Sequence, residues 1–219
     1  MNANKFGRSE RFGKECSLLV VDVQNDFADK AGALYVTGGE QIVPLINEIR
    51  FAFQTVVFTK DWHPPGHISF ASAHAGKRPF ESLCADSSNV ARTLWPEHCV
   101  QNTWGAELHP ELIVRYDIDI IFEKATKVDK DSYSAFRDEA GEETELREIL
   151  KKRGVSNVYV CGLAFDYCVG CTALDAVKAG FEVFLIENAT MPISKEGRQQ
   201  MMQRLHDNGV HMITYARSE

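Results

Sequence analysis

An α/β fold, built on an open and mostly parallel six-stranded sheet with helices on both faces, is predicted by three observations. Short apolar runs, several rich in β-branched residues, alternate with stretches of helical periodicity. One unit shows the whole pattern. Val158 to Cys161 reads as a buried strand and Gly162 as a tight turn. Val169, Ala173, Ala176 and Val177 then recur at helical spacing until Gly180 stops the helix. Finally, 219 residues without repeats, low-complexity tracts or interdomain linkers fit one domain.

The elements follow in order. Residues 1–16 are expected to be a flexible tail before a single domain spanning residues 17–219. Met1 to Glu15 is polar, mixed in charge and without the apolar core of a signal peptide. The first predicted strand is Ser17 to Val23, with Asp22 near its C-terminal end. Gln41 to Phe53 reads as a helix with Ile42, Leu45, Ile46, Ile49 and Phe53 on its apolar face and Pro44 in its first turn. Thr55 to Thr59 is the second strand. Lys60 to Tyr116 then breaks the alternation. It is rich in Pro, His, Trp and Ser, and such a long irregular segment inside a compact domain is usually functional. Asp119 to Phe122 is the third strand, Glu143 to Arg153 a helix, Val158 to Cys161 the fourth strand and Phe181 to Ile186 the fifth. Ser194 caps a helix that runs to about Leu205 and ends at Asp207-Asn208-Gly209; Val210 to Thr214 is the sixth strand. Right-handed crossovers with the first strand central put the first and fourth strands side by side. Asp22 and Cys168 then share the crevice at the carboxyl ends of the strands, where open α/β sheets bind ligands.

Composition narrows the function. The hydrophobic fraction of 44% and charged fraction of 25% are those of a globular protein, and the net charge of −7 argues against nucleic acid or an anionic membrane as partner. No apolar run approaches transmembrane length. Six cysteines without a secretory signal point to reduced thiols and a cytoplasmic setting, which makes the sequon at Asn188 a chance match.

Three strand ends carry complementary chemistry: Asp22, Lys124 and Cys168. A cysteine nucleophile needs a group to take its proton and a charge to stabilise its thiolate. In the first turn of a helix, Cys168 would have amide donors and the helix dipole in its favour. A lysine about 4 Å away contributes at most roughly 4 kcal/mol at an effective dielectric near 20, and Asp22 can take the proton. Taken singly, each also has an ordinary role: Asp22 in a turn, Lys124 on the surface, Cys168 as a small core residue. A second constellation joins Asp61 and His63, two apart after a strand, to His98 from the irregular segment. A carboxylate and two imidazoles with open positions suit zinc, and also iron or manganese; a hydrogen-bonded loop is the alternative. Cys168-Val169-Gly170-Cys171 has thioredoxin-like redox spacing. That reading leaves Asp61, His63, His98 and Lys124 unexplained, and Cys171 reads more simply as a buried residue one helical turn along.

Four motifs occur in one order: Val21-Asp22-Val23-Gln24-Asn25-Asp26-Phe27, Asp61-Trp62-His63-Pro64 through His67-Ile68-Ser69-Phe70, Trp95-Pro96-Glu97-His98-Cys99-Val100-Gln101-Asn102-Thr103, and Gly162-Leu163-Ala164-Phe165-Asp166-Tyr167-Cys168-Val169. Lys124, followed by Asp131-Ser132-Tyr133-Ser134-Ala135-Phe136, adds a fifth. From Leu18 to about Tyr215 the chain thereby resembles the nicotinamidases (pyrazinamidases) of the isochorismatase-like cysteine hydrolase superfamily. The resemblance implies a metal-dependent cysteine amidohydrolase that converts nicotinamide to nicotinate and ammonia through an acyl-thioester, in NAD salvage. It implies a catalytic triad of Asp22, Lys124 and Cys168, and one divalent metal ion, zinc before iron or manganese, on Asp61, His63 and His98. It also implies a cis peptide at Leu163–Ala164, an oxyanion hole from the N–H groups of Ala164 and Cys168, and a ring pocket of Phe27, Trp95 and Tyr133. The implied partner is the small substrate nicotinamide, with pyrazinamide as a second; whether copies associate as a homo-oligomer stays open. One departure stands out. Ala125 follows Lys124 where the family usually has glycine, and its methyl could narrow the pocket or shift the lysine. The alternatives are another small-amide hydrolase of the superfamily and a nicotinamide-binding module without turnover.

Overall fold

The apolar runs form the strands expected of them, and one more appears ahead of the first. The computed structural model describes residues 5–84 and 91–216, so residues 1–4 of the expected tail lie outside the described residues. In chain order the strands are β1 (Lys5–Gly7), β2 (Cys16–Val21), β3 (Thr55–Asp61), β4 (Ser82–Cys84), β5 (Ala91–Thr93), β6 (Ile120–Lys124), β7 (Asn157–Leu163), β8 (Glu182–Met191) and β9 (His211–Ala216). The α-helices are α1 (Asn25–Ala28), α2 (Val43–Ile49), α3 (Leu146–Lys152), α4 (Gly170–Lys178) and α5 (Lys195–Asp207).

Seven strands form one parallel sheet in the order β1-β9-β8-β7-β2-β3-β6, while β4 and β5 form a separate antiparallel pair. The expected six-stranded sheet thus gains an edge. Lys5–Gly7, inside the segment expected to be a tail, pairs with β9 from Lys5↔Thr214 to Gly7↔Ala216. Phe6 anchors it, buried with its ring edge-on to Phe12, Tyr159 and Tyr215 at centroid distances of 5.4, 6.3 and 5.2 Å. A three-residue strand with one aromatic leaves no periodic signal. The β4–β5 pair likewise sits within the segment read as irregular.

All six residues of β2 are buried, as a central parallel strand requires. Leu18 and Val20 face a core shared with α1 and α2; Leu19 and Val21 face one shared with α3, α4 and α5. Helices therefore cover both faces. The chain runs outward from β2 through β3 to β6, then returns to place β7 on the other side of β2. The predicted adjacency of these two strands holds, and it makes the β2–β7 boundary the switch point of the sheet. Gly162 permits this join. Its φ is 115°, and a Cβ there would run into the Val21 carbonyl. Helix ends follow their sequence signals. Pro44 lies in the first turn of α2, and Ser194 Oγ accepts the Gly197 N–H at 2.9 Å to cap α5. Between β7 and α4 the chain makes a π-type turn, Phe165–Val169, so Cys168 precedes the α-helix instead of lying in its first turn. Among the described residues, no helix is long and apolar enough to cross a membrane.

Candidate active site

Each strand that ends at the switch-point crevice delivers a side chain to it. β2 ends at Val21, and Asp22 takes φ 48°, turning the chain out of the sheet. Its fully buried carboxylate accepts a hydrogen bond from Thr59 Oγ1 at 2.5 Å and pairs with Lys124 Nζ at 3.0 Å. β3 runs on to Asp61, which lies opposite Lys124 in the β3–β6 register, and the Lys124 ammonium also donates to the Asp61 carboxylate. The same ammonium donates to the Ser132 carbonyl at 2.9 Å and lies 3.6 Å from Cys168 Sγ. Asp22, Asp61 and Cys168 each contribute an atom to a group whose members lie within 4.8 Å of one another. The three residues singled out at strand ends thus meet, with Lys124 buried between Asp22 and Cys168 and paired also with Asp61.

Burial and charge compete here. Burial alone would lower the Lys124 pKa, but Asp22, Asp61 and Cys168 around it hold it well above the usual range. Burial pushes Asp22 up to about 6 against the pull of Lys124. Burial also pushes the Cys168 thiol well up, with Lys124 opposing and the two carboxylates reinforcing. Burial therefore favours the protonated thiol. It thus works against the thiolate that helix terminus and lysine were expected to favour, while Lys124 pulls the other way.

Next to this cluster, Asp61, His63 and His98 each offer a ligand atom, all within 4.8 Å of one another. Burial lowers both imidazole pKa values against the Asp61 charge, which keeps the rings neutral and able to donate a lone pair. His98 Nδ1 donates to the Pro96 carbonyl at 2.8 Å, which leaves Nε2 for a ligand. His63 Nδ1 is buried without a hydrogen-bond partner among the described residues. Burial works against ionisation of Asp61, yet the Lys124 ammonium beside it holds its pKa below the usual value. One carboxylate and two neutral imidazoles, one of them with a buried nitrogen lacking a partner among the described residues, fit a divalent metal ion such as zinc. His67, by contrast, has both nitrogens engaged, with Ser69 Oγ at 2.7 Å and the Lys130 carbonyl at 3.0 Å. It stacks on His63 at a centroid distance of 4.2 Å.

A pocket opens over both clusters. Asp61, His63, His98, Ala164 and Cys168 line it below, and Phe27, Trp95 and Tyr133, all expected, line its walls. Trp95 Nε1 donates to Tyr133 Oη at 3.0 Å, fixing two rings against each other. The Leu163–Ala164 peptide is cis, as the resemblance implied.

A family model of the isochorismatase domain matches residues 16–217. The chain belongs to the isochorismatase family. Among family members, it is 44% identical over 201 residues to a nicotinamidase of Acinetobacter baylyi, covering 91% of this chain and 92% of that one. A nicotinamidase–pyrazinamidase structure from Acinetobacter baumanii superposes with a TM-score of 0.88 at 43% identity, covering 93% of this chain and 98% of that one. A pyrazinamidase of Pyrococcus horikoshii in complex with zinc superposes with a TM-score of 0.74 at 38% identity, covering 91% and 99%.

Two features in and around this isochorismatase-family pocket escape a reading of the sequence. Leu34, Asp131, Tyr167 and Ile193 also line it. Asp131 and Tyr167 lie inside quoted motifs, which was the available signal; Leu34 and Ile193 come from loops with no pattern of their own. The other is the reason for glycine after the lysine. Ala125 has φ 52°, a conformation that suits glycine. Its methyl is buried, and Lys124 keeps all its partners.

Proposed function

We propose that this protein is a nicotinamide amidohydrolase: nicotinamide and water give nicotinate and ammonia, for reuse in NAD salvage in the cytoplasm. The observation that carries the reading is a buried thiol, Cys168, 3.6 Å from Lys124 Nζ and beside Asp22, beneath an aromatic pocket that also holds a carboxylate and two neutral imidazoles. Full-length likeness to nicotinamidases supports the choice of substrate.

Phe27, Trp95 and Tyr133 enclose the pyridine ring. Asp22 takes the thiol proton as Cys168 Sγ attacks the carboxamide carbon, and Lys124 balances the negative charge that forms. The N–H groups of Ala164 and Cys168 hold the oxyanion. As the C–N bond breaks, Asp22 returns its proton to the departing ammonia. It then takes a proton from the water that attacks the acyl-thioester, nicotinate leaves and the thiol is restored. Asp61, His63 and His98 would hold a divalent metal, zinc in the first place, whose Lewis acidity would serve to bind the pyridine nitrogen and so orient the ring.

Ammonia release from nicotinamide by the purified protein tests the reading. Cys168→Ala should stay folded and bind nicotinamide yet lose turnover by on the order of 10³-fold or more; substantial release from a folded Cys168→Ala protein would exclude the covalent route. Chelation should lower the rate and zinc restore it. Benzamide lacks the ring nitrogen and should be a poor substrate, and His98→Ala should narrow the nicotinamide-to-benzamide ratio of kcat/KM. An unchanged ratio with both rates collapsed would move the metal's role to the carboxamide or its water.

A further inference from the structure

We infer that Gln24 is a positioning residue that sets the backbone of Asp61, and through it the metal-binding carboxylate. β2 and β3 pair only as far as Val20↔Phe58, while β3 continues to Asp61 against β6. The turn at Asp22 takes the chain out of the sheet, so the last residues of β3 have no strand on that side. The Gln24 carboxamide stands in for it. Asp61 N–H donates to Gln24 Oε1 at 2.8 Å, and Gln24 Nε2 donates to the Asp61 carbonyl at 2.7 Å. The second N–H of the same amide donates to the Ala106 carbonyl at 2.8 Å.

A side-chain carboxamide carries the donor and acceptor of a peptide unit, so Gln24 acts as a single residue of β2-side ladder reaching past the end of the strand. On the other side the chain is held by the Trp62 N–H, which donates to the Lys124 carbonyl at 3.0 Å. Asp61 is thus fixed from both flanks, as it must be if one carboxylate is to meet Lys124 and also face His63 and His98. Gln24 is fully buried, with both amide hydrogens and its oxygen engaged. Substitutes fall short for definable reasons. Methionine matches its length but has no comparable hydrogen-bonding group, asparagine is one methylene too short to span the gap, and glutamate loses the donors.

The inference rests on the proposed function for the identity of the Asp61 site, and its test is independent of turnover. Metal-free wild type, Gln24→Met and Gln24→Asn are titrated with Co²⁺, and affinity and visible absorption are recorded with the melting temperature of each metal-free protein. The expected result is a loss of Co²⁺ affinity of about 10–100-fold with an altered absorption band in both folded variants. Wild-type affinity and spectrum in folded Gln24→Met would overturn the inference. So would failure of both variants to fold without metal, since Gln24 would then be a requirement of the fold itself. A wild type that binds Co²⁺ but releases no ammonia would refute the proposed activity, and the Co²⁺ affinities would still decide the role of Gln24.

Discussion

Ala125 holds a left-handed backbone beside Lys124 with a side chain that disfavours it. Asp22, Cys99 and Ala125 have φ of 48°, 47° and 52°, and each adjoins or belongs to the site. Such corners turn the chain away sharply, so that a strand end can present its side chain without the next residue blocking it. The left-handed region costs an L-residue about 1–2 kcal/mol, and glycine loses about 0.5–1 kcal/mol more backbone freedom than alanine. Relief of strain wins by a small margin. Ala125→Gly should raise Tm by about 1–4 °C and leave kcat/KM unchanged; a lower Tm would mean that the packing of the methyl outweighs the strain. The departure at Ala125 was visible in the sequence, but its meaning was not, because φ is a property of the turn. Asp22 and Lys124 were legible near the ends of apolar runs and Cys168 at the start of the helix that follows one, while the family resemblance joined the three. The protonation of Cys168 was not legible, because it depends on burial and on two carboxylates brought from other strands.

The π-type turn that carries Cys168 is tied to the start of α5 by one side chain. Asp166 Oδ1 accepts the Ile193 N–H at 2.8 Å and Oδ2 the Ser194 N–H at 3.0 Å. Cys168 and a neighbouring stretch of pocket lining are therefore linked, since Ile193 and Cys168 line the same pocket. Hydrogen bonds to a charged acceptor contribute about 1.5–3 kcal/mol each, and the unpaired donors can still find water at the helix start. Asp166→Ala should cost about 2–3 kcal/mol in stability and raise KM more than it lowers kcat, read from steady-state kinetics at a temperature where the variant is folded. A fall in kcat alone would mean that Asp166 acts on the thiol and not on the wall. Elements with a clear period, such as α2 and β7, were foreseen within a few residues. The β4–β5 pair was not, because three-residue strands leave no period to read. Leu34 and Ile193 were missed for a related reason: loop residues reach a pocket by the path of the chain, which only the assembled sheet defines.

At the scale of the whole molecule, the crossover rule placed the first predicted strand beside the fourth, and β2 does lie against β7. The outer edge was beyond that rule, because β1 depends on Phe6 finding an aromatic cluster made by Phe12, Tyr159 and Tyr215. β1 lies three strands from β7, at the opposite edge of the sheet from β6. Phe6→Ala should therefore lower Tm without touching chemistry. Truncating a buried aromatic costs about 3–5 kcal/mol in a core, and less at an edge, so a fall of about 4–8 °C is expected, with kcat/KM unchanged at 25 °C. A loss of activity in the folded variant would show that β1 supports the crevice through β9 and β8.

The placement of β7 between β2 and β8 has a consequence in time. As the chain leaves the ribosome, β2 can find β3 once residue 61 has been made, but its other flank waits until β7 arrives. Until then the nascent chain shows an unpaired edge of largely apolar sequence, the kind of surface that invites other chains and the chaperones that shield it. Cys168, the proposed nucleophile, follows Asp22, Asp61, His63, His98 and Lys124 in the chain and is made after them. An unfinished chain therefore carries the groups of the prospective metal site without the thiol, and gains its chemistry in the same step that closes its most adhesive edge.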